Sequence, residues 1–122
     1  MPTFDHTNLG VPEGGAEAEA SFLVDVLGYR RVEAPPDIAA RFNPMWFEGD
    51  DGCQIHLSVD PDHRPAARAH TAVRLGDDLA TAVERLDAAG LGYTVSDGDA
   101  RRVVFAKDPA GNRWELIGTL PG

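Results

Sequence analysis

The sequence predicts an α+β protein made of two similar halves, each with the element order strand, helix, strand, strand, strand. The first observation behind this prediction is an internal repeat, the feature that most directly fixes architecture. His6-Thr7 precedes Leu27-Gly28-Tyr29 by the same spacing with which His70-Thr71 precedes Leu91-Gly92-Tyr93. The second observation is that each half has an alanine-rich helical pattern between these two anchors. The third is a pair of apolar runs around a Gly- or Pro-containing turn after each tyrosine, a pattern typical of a β-hairpin.

Both helical patterns stop at residues that favour helix ends. The first, "GAEAEASFLVDVLGY", ends at Gly28, which suits a C-terminal cap. The second, "DDLATAVERLDAAGLGY", has Asp77 or Asp78 as its N-cap and Gly90 or Gly92 as its C-cap.

The two halves are separated by "DPDHRPAAR", a polar segment with prolines that is typical of a linker. We therefore expect one domain, residues 1–122, made of two modules at about 1–60 and 67–119. Within the first module, the run "EAPPDIAARFNP" is rich in proline and too irregular to predict a helix or strand. We expect an irregular connector there.

Composition excludes several kinds of partner. The net charge of −9 is spread along the chain and opposes binding to nucleic acid. No apolar run approaches the length of a membrane helix, and the N-terminus lacks the basic and then apolar regions of a signal peptide. With a single cysteine, the chain forms no internal disulfide. We expect a cytoplasmic protein without a nucleic-acid or membrane partner.

Four side chains at repeat-equivalent positions predict a metal site. Because strand side chains alternate between two faces, each strand concerned has an aliphatic face and a more polar face. His6 and His70 lie at equivalent places on the first strands, and His56 and Glu115 on the last strands. Imidazole and carboxylate donors on one sheet surface suit a divalent ion such as Zn, Ni, Fe, Mn or Co. A histidine in the linker, His63, is expected to be an ordinary surface residue.

Two further polar side chains share the predicted ligand face and are candidates for substrate binding. Arg74 is placed to pair with a carboxylate or phosphonate of a substrate, and Asn8 to orient a hydroxyl group. An ion pair at the surface is the competing role for Arg74. Glu115 is also the candidate catalytic residue, because a carboxylate that leaves the metal can act as a base. The expected partner is a small molecule.

Three segments resemble the vicinal oxygen chelate superfamily, which includes glyoxalase I, extradiol dioxygenases, fosfomycin-resistance transferases and bleomycin-binding proteins. They are "HTNLGVP", "FLVDVLGY" and "FAKDPAGNRWELIG". The resemblance implies tandem βαβββ modules whose mixed sheets form a cup around the metal, with helices on the outer face, and often a homodimer. By motif position it places His6, His70 and Glu115 at ligand positions. His56 departs from the family pattern, because glyoxalase I has a glutamate there.

The resemblance leaves more than one function open. The first is a metal-dependent lyase or isomerase of the glyoxalase kind that binds two adjacent oxygens of a small metabolite. The second is a ring-cleaving dioxygenase that uses ferrous iron, for which two histidines and a carboxylate are suitable ligands. A fourth ligand at His56 would occupy a position that oxygen and a catechol need, which favours the first. The third is a resistance protein that binds an antibiotic without turnover.

Overall fold

A computed structural model describes residues 1–120 of the chain. By their internal contacts the residues divide into two compact units, Met1–His63 and Arg64–Gly122. Eight strands and three helices follow one another in the order β1 (His6–Val11), α1 (Ala16–Ser21), β2 (Arg30–Val32), α2 (Pro36–Arg41), β3 (Met45–Glu48), β4 (Gln54–Val59), β5 (His70–Gly76), α3 (Leu79–Ala88), β6 (Tyr93–Asp97), β7 (Arg101–Lys107) and β8 (Arg113–Thr119).

Each unit contains a four-stranded mixed sheet, and the two sheets have the same topology. The strand order is β1-β4-β3-β2 in the first and β5-β8-β7-β6 in the second. The first and last strands of each unit pair in parallel, and the remaining pairs are antiparallel. A helix follows the first strand in both units, and α1 contacts β4 as α3 contacts β8. The predicted fold class, tandem βαβββ modules, is confirmed.

The glycines at the helix ends explain how the chain turns back toward the sheet. Gly28 and Gly90 have φ angles of +85° and +71°, a left-handed conformation that glycine adopts without a steric penalty. Of the two glycines proposed to end α3, Gly90 therefore fills that role. Asp78 stands at the N-cap position of α3, although its side chain makes no capping hydrogen bond. The first helix changes from α to π geometry over Phe22–Val26 before it reaches Gly28.

The segment predicted to be an irregular connector contains a helix, α2. Proline at its first turn is compatible with a helix, because the fixed φ angle suits that position and the missing N–H has no intrahelical partner there. The helix ends where Phe42 adopts an extended conformation. The prediction was wrong because the helix is a short one with no buried residue, so its sequence lacks an apolar periodicity.

The alternation predicted for the strands agrees with their burial. On β8, Trp114 and Leu116 are fully buried, whereas the intervening Glu115 is partly exposed. On β4, Ile55 is buried as expected, but Val59, at the end of the same face, is 54% exposed. The polar faces therefore lie outside the cores of their own units.

The closing hairpin of the second unit is organised by a buried carboxylate. Asp108 is only 3% exposed, and its Oδ1 accepts hydrogen bonds from the backbone N–H groups of Ala110 and Asn112 at 3.1 and 2.9 Å. Its Oδ2 accepts a hydrogen bond from Trp114 Nε1 at 2.9 Å. The Asp-Pro-Ala-Gly-Asn turn is therefore a structural feature that fixes the start of β8.

No helix within residues 1–120 is both long enough and apolar enough to cross a membrane.

Candidate functional site

The donor pair of the first unit lies on the paired strands β1 and β4. Asn8 pairs with His56 in the parallel register, which places His56 beside His6 on the same face. The imidazole rings of His6 and His56 stack with their centroids 4.0 Å apart and their planes 18° apart. Nδ1 of His6 lies 2.7 Å from Oδ1 of Asp5.

The ring of His56 is held on three sides. Its second face stacks on Trp46 of β3, with centroids 4.0 Å apart and planes 2° apart. Its Nε2 lies 2.8 Å from Oε1 of Gln54, so the amide oxygen accepts a hydrogen bond from the Nε2–H group. Burial, with a contribution from the neighbouring His6, lowers the pKa of His56, although Asp5 opposes this shift. A neutral imidazole is thus favoured at this position.

Stacking has a consequence for metal binding by these two histidines. A ring nitrogen binds a metal through a lone pair in the plane of the ring, and nearly parallel rings 4.0 Å apart have no shared plane. In the stacked arrangement the two rings therefore do not direct lone pairs at a single ion. For His56 to join His6 as a ligand, its ring has to turn out of the stack and away from Gln54.

The donor pair of the second unit lies on the paired strands β5 and β8. Nε2 of His70 is 3.6 Å from Oε1 of Glu115, and both side chains are partly exposed. Two donors at about 2.1 Å from one ion, arranged tetrahedrally, are about 3.4 Å apart. The separation observed for His70 and Glu115 is close to that value, so the pair fits a metal ion without a large rearrangement.

In both His6 and His70, Nδ1 has an oxygen acceptor, a feature typical of metal-binding histidines. Nδ1 of His70 donates a hydrogen bond to the backbone carbonyl oxygen of Arg68 at 2.9 Å, as Nδ1 of His6 does to Asp5. A proton on Nδ1 leaves the lone pair on Nε2, and metal-binding histidines are usually oriented by an acceptor of this kind. The tautomers are inferred from these partners. The donor chemistry of both histidines is therefore suited to a divalent metal.

The two predicted substrate residues lie on the expected faces. Asn8 accepts a hydrogen bond at its Oδ1 from the hydroxyl group of Ser58, 3.0 Å away. Arg74 is exposed on β5 and pairs in register with Ile117, two residues beyond Glu115 on β8.

The contacts of the donors with three neighbouring side chains were not predicted from the sequence. Trp46 and Gln54 hold His56, and Phe105 lies edge-on to His70 with ring centroids 6.0 Å apart. The guanidinium of Arg113 covers the same Phe105 ring at 4.8 Å. Strand alternation could have placed Phe105 beside Glu115, because the two pair in register, whereas the stack depends on rotamers that alternation does not predict.

Among residues 1–120, no three His, Cys, Asp or Glu side chains form a group that could hold a metal ion. The donors instead form two pairs, His6 with His56 and His70 with Glu115, one in each unit.

Comparison with known proteins gives a family for this chain. The family model of the glyoxalase-like domain matches residues 10–117. No curated protein sequence matches. Among crystal structures, a glyoxalase family protein from Bacillus anthracis is 23% identical with a TM-score of 0.82, covering 98% of this chain and 97% of the other.

Two further structures share the fold. The fosfomycin resistance protein FosX from Mesorhizobium loti is 19% identical with a TM-score of 0.76, covering 98% of this chain and 94% of the other. A glyoxalase/dioxygenase from Nostoc punctiforme is 20% identical with a TM-score of 0.74, covering 98% and 92%. The family match extends over most of the chain and agrees with the paired βαβββ modules and with the closing hairpin, so the chain belongs to the glyoxalase-like domain family of the vicinal oxygen chelate superfamily.

Proposed function

We propose that this protein is a metal-dependent enzyme that acts on a small oxygenated metabolite as a lyase or isomerase, with His6, His70 and Glu115 as metal ligands. The proposal depends on one observation: Nδ1 of His6 and Nδ1 of His70 each have an oxygen acceptor, which leaves Nε2 of both rings free to bind a metal. The 3.6 Å separation of His70 and Glu115 supports the same assignment. The proposal also includes a homodimer, which the resemblance to the superfamily implies.

His56 has a different role in this proposal from that of the other three. Its stack with His6 and Trp46 and its hydrogen bond to Gln54 favour a neutral ring that holds His6 in place. It becomes a fourth ligand only if the ring turns out of the stack.

A divalent ion held by these residues would supply the positive charge that stabilises negative charge developing on two adjacent substrate oxygens. Glu115 is the residue proposed to move a proton, since its carboxylate is partly exposed and lies beside His70. Asn8 has amide N–H groups that can donate to a substrate oxygen, because its Oδ1 already accepts from Ser58. Arg74 offers a charge for an anionic substituent.

Elemental analysis of protein purified without chelators tests the proposal. We expect about one divalent transition metal ion per chain, a fall in melting temperature when a chelator removes it, and recovery when it is added back. A protein that carries no metal and whose melting temperature does not rise on addition of Zn, Ni, Fe, Mn or Co would contradict it. The reading as an antibiotic-binding protein without turnover would then be favoured.

A ring-cleaving dioxygenase is the second candidate, favoured by the position of His56. With His56 in the stack, the remaining ligands are two histidines and one carboxylate, a set that leaves open positions on ferrous iron. A dioxygenase adds both atoms of O₂ to a catechol as one ring carbon–carbon bond breaks. Protein loaded with ferrous iron should then consume one O₂ per catechol, whereas the lyase or isomerase consumes none.

The homodimer is tested by sedimentation. A species of twice the chain mass is expected, and a single-chain mass at micromolar concentration would reject the dimer. A cytoplasmic location stays a prediction, which fractionation of the source cells would check.

A further inference from the structure

We propose that the cavity beside His6 in the first unit binds an uncharged, ring-bearing part of the substrate. This inference rests on the proposed function, because it takes His6 to be a ligand of the reacting centre. The cavity has a volume of about 590 Å³ and is lined by β1, β3, β4 and the α2 segment. That volume lies within the range of small-molecule sites, about 300–1,000 Å³.

One side of the cavity is apolar and open to solvent. Ile38 of α2 and the adjoining Phe42 line it, together with Val59 at the end of β4. Phe42 is 65% exposed and Val59 is 54% exposed. An apolar ligand that covers these side chains removes their surface from water, which stabilises the complex.

Charge decides which ligands the cavity accepts. Among the described residues that line it, none is Asp, Glu, Lys or Arg, although a quarter of the chain is charged. A charged group placed against the apolar side, away from His6, would lose water there without gaining an opposite charge from the lining. An anionic group is therefore disfavoured on the apolar side, whereas an uncharged one is accepted.

The rings that line the cavity favour a flat ligand. His6, His56 and Trp46 all contribute to the lining, and they form a continuous stack across three strands. Aromatic rings associate preferentially in offset-stacked or edge-to-face geometries, so the lining offers both a ring face and ring edges to an aromatic ligand.

A small polar region fixes the orientation of such a ligand. Asn8 and Ser58 line the cavity next to His6, and the Ser58 hydroxyl donates to Asn8 Oδ1. The amide N–H groups of Asn8 are then the donors for a hydroxyl or carbonyl oxygen of the ligand. The expected substrate carries its oxygens at the His6 end and its ring against Trp46 and Phe42.

The test uses a pair of probes with the same rings and different charge. 2-Naphthol is uncharged at neutral pH, and 2-naphthalenesulfonate is anionic. Each is titrated into the full-length protein while the two indole N–H signals are followed by NMR. We expect 2-naphthol to shift the Trp46 signal, to leave that of the buried Trp114 unchanged, and to bind at least tenfold more tightly than the sulfonate. Equal binding of both probes, or no shift at Trp46, would overturn the proposal.

Two phenylalanines give a matched pair of variants. Phe42→Ala removes a wall of the cavity and should weaken 2-naphthol about fivefold, whereas Phe4→Ala, at a residue that is 71% exposed and outside the lining, should leave the affinity unchanged. Because both side chains are largely exposed, both variants should fold. Equal affinities of the two variants would place the probe elsewhere and overturn the inference.

The titration is done with and without a chelator, so that this inference and the proposed function fail separately. Naphthol binding that persists without metal supports the cavity whatever elemental analysis shows. A metal-loaded protein that does not bind naphthol would keep the proposed metal site and overturn only the inference about the cavity.

Discussion

Nε2 of His70 and Oε1 of Glu115 face each other across the parallel strands β5 and β8 at a distance of 3.6 Å. That distance is too long for a hydrogen bond, so neither group satisfies the other. Both atoms therefore keep a lone pair that can bind another group, and the proposed metal ion is such a group.

Replacement of either donor should abolish metal binding and leave the fold intact. His70→Ala and Glu115→Ala each remove a partly exposed side chain from the polar face, so the metal-free variants should differ from the metal-free parent by at most about 0.5 kcal/mol. Elemental analysis and thermal unfolding check the two parts. His63→Ala, a histidine from outside the strands, is the control that should retain the metal. Unfolding of both variants with metal affinity preserved in the soluble fraction would show that the strand faces are misassigned.

Asp108→Asn should destabilise the second unit by about 1–3 kcal/mol, because an amide cannot accept all three of the N–H groups that this carboxylate accepts. Chemical denaturation measures the change. Asp99→Asn, at an exposed position, is the control, with an expected change within about 0.5 kcal/mol. Equal stability of the two variants would mean that the turn does not depend on the carboxylate.

The sequence allowed the repeat, the strand faces and the glycine ends of the helices to be predicted, because each depends on local periodicity or backbone conformation. It also allowed Asp108 to be recognised as part of a motif, but not its role, since three donors converge on it only after the turn has formed. The stack of His56 on Trp46 was missed for a similar reason. The stack depends on the side-chain rotamers of residues on two strands, which the sequence does not predict. One rotamer of His56 makes it a stacking residue, and another would make it a metal ligand.

Gly118→Ala should destabilise the protein by about 1–3 kcal/mol through overpacking. A Cβ atom at this position would lie 2.6 Å from Cδ2 of Leu79 and 2.8 Å from the carbonyl oxygen of Gly76. Leu79 belongs to α3, which contacts β8, and Gly76 is the last residue of β5, which pairs with Gly118 itself. Gly92→Ala is the matched control, because a Cβ there meets nothing within 4 Å and its stability should be at least that of the parent. Thermal unfolding of the two variants is the measurement.

The phenol of Tyr29 should lose its proton only at high pH. Burial raises the pKa of Tyr29 to about 12, and the nearby Asp51 and Cys53 add to the shift. A raised folded-state pKa favours the neutral phenol, so its contribution to stability is complete below pH 10 and is lost as the pH rises toward 12. Ultraviolet titration of tyrosinate should show a step near pH 12 that is absent from Tyr29→Phe. A variant that retains that step would show that the step does not belong to Tyr29; the pKa of the other tyrosine, Tyr93, is also raised, by a hydrogen bond to Asp87.

The parallel pairing of the first and last strands in each unit also bears on how the protein folds. His6 meets His56, and His70 meets Glu115, only when the two ends of a module have closed on each other around everything between them. Contacts of such wide sequence separation carry the largest loop-closure entropy and tend to form late. Acquisition of metal would then mark the final step of chain closure, and a nascent chain still lacking β8 would remain without the Glu115 donor.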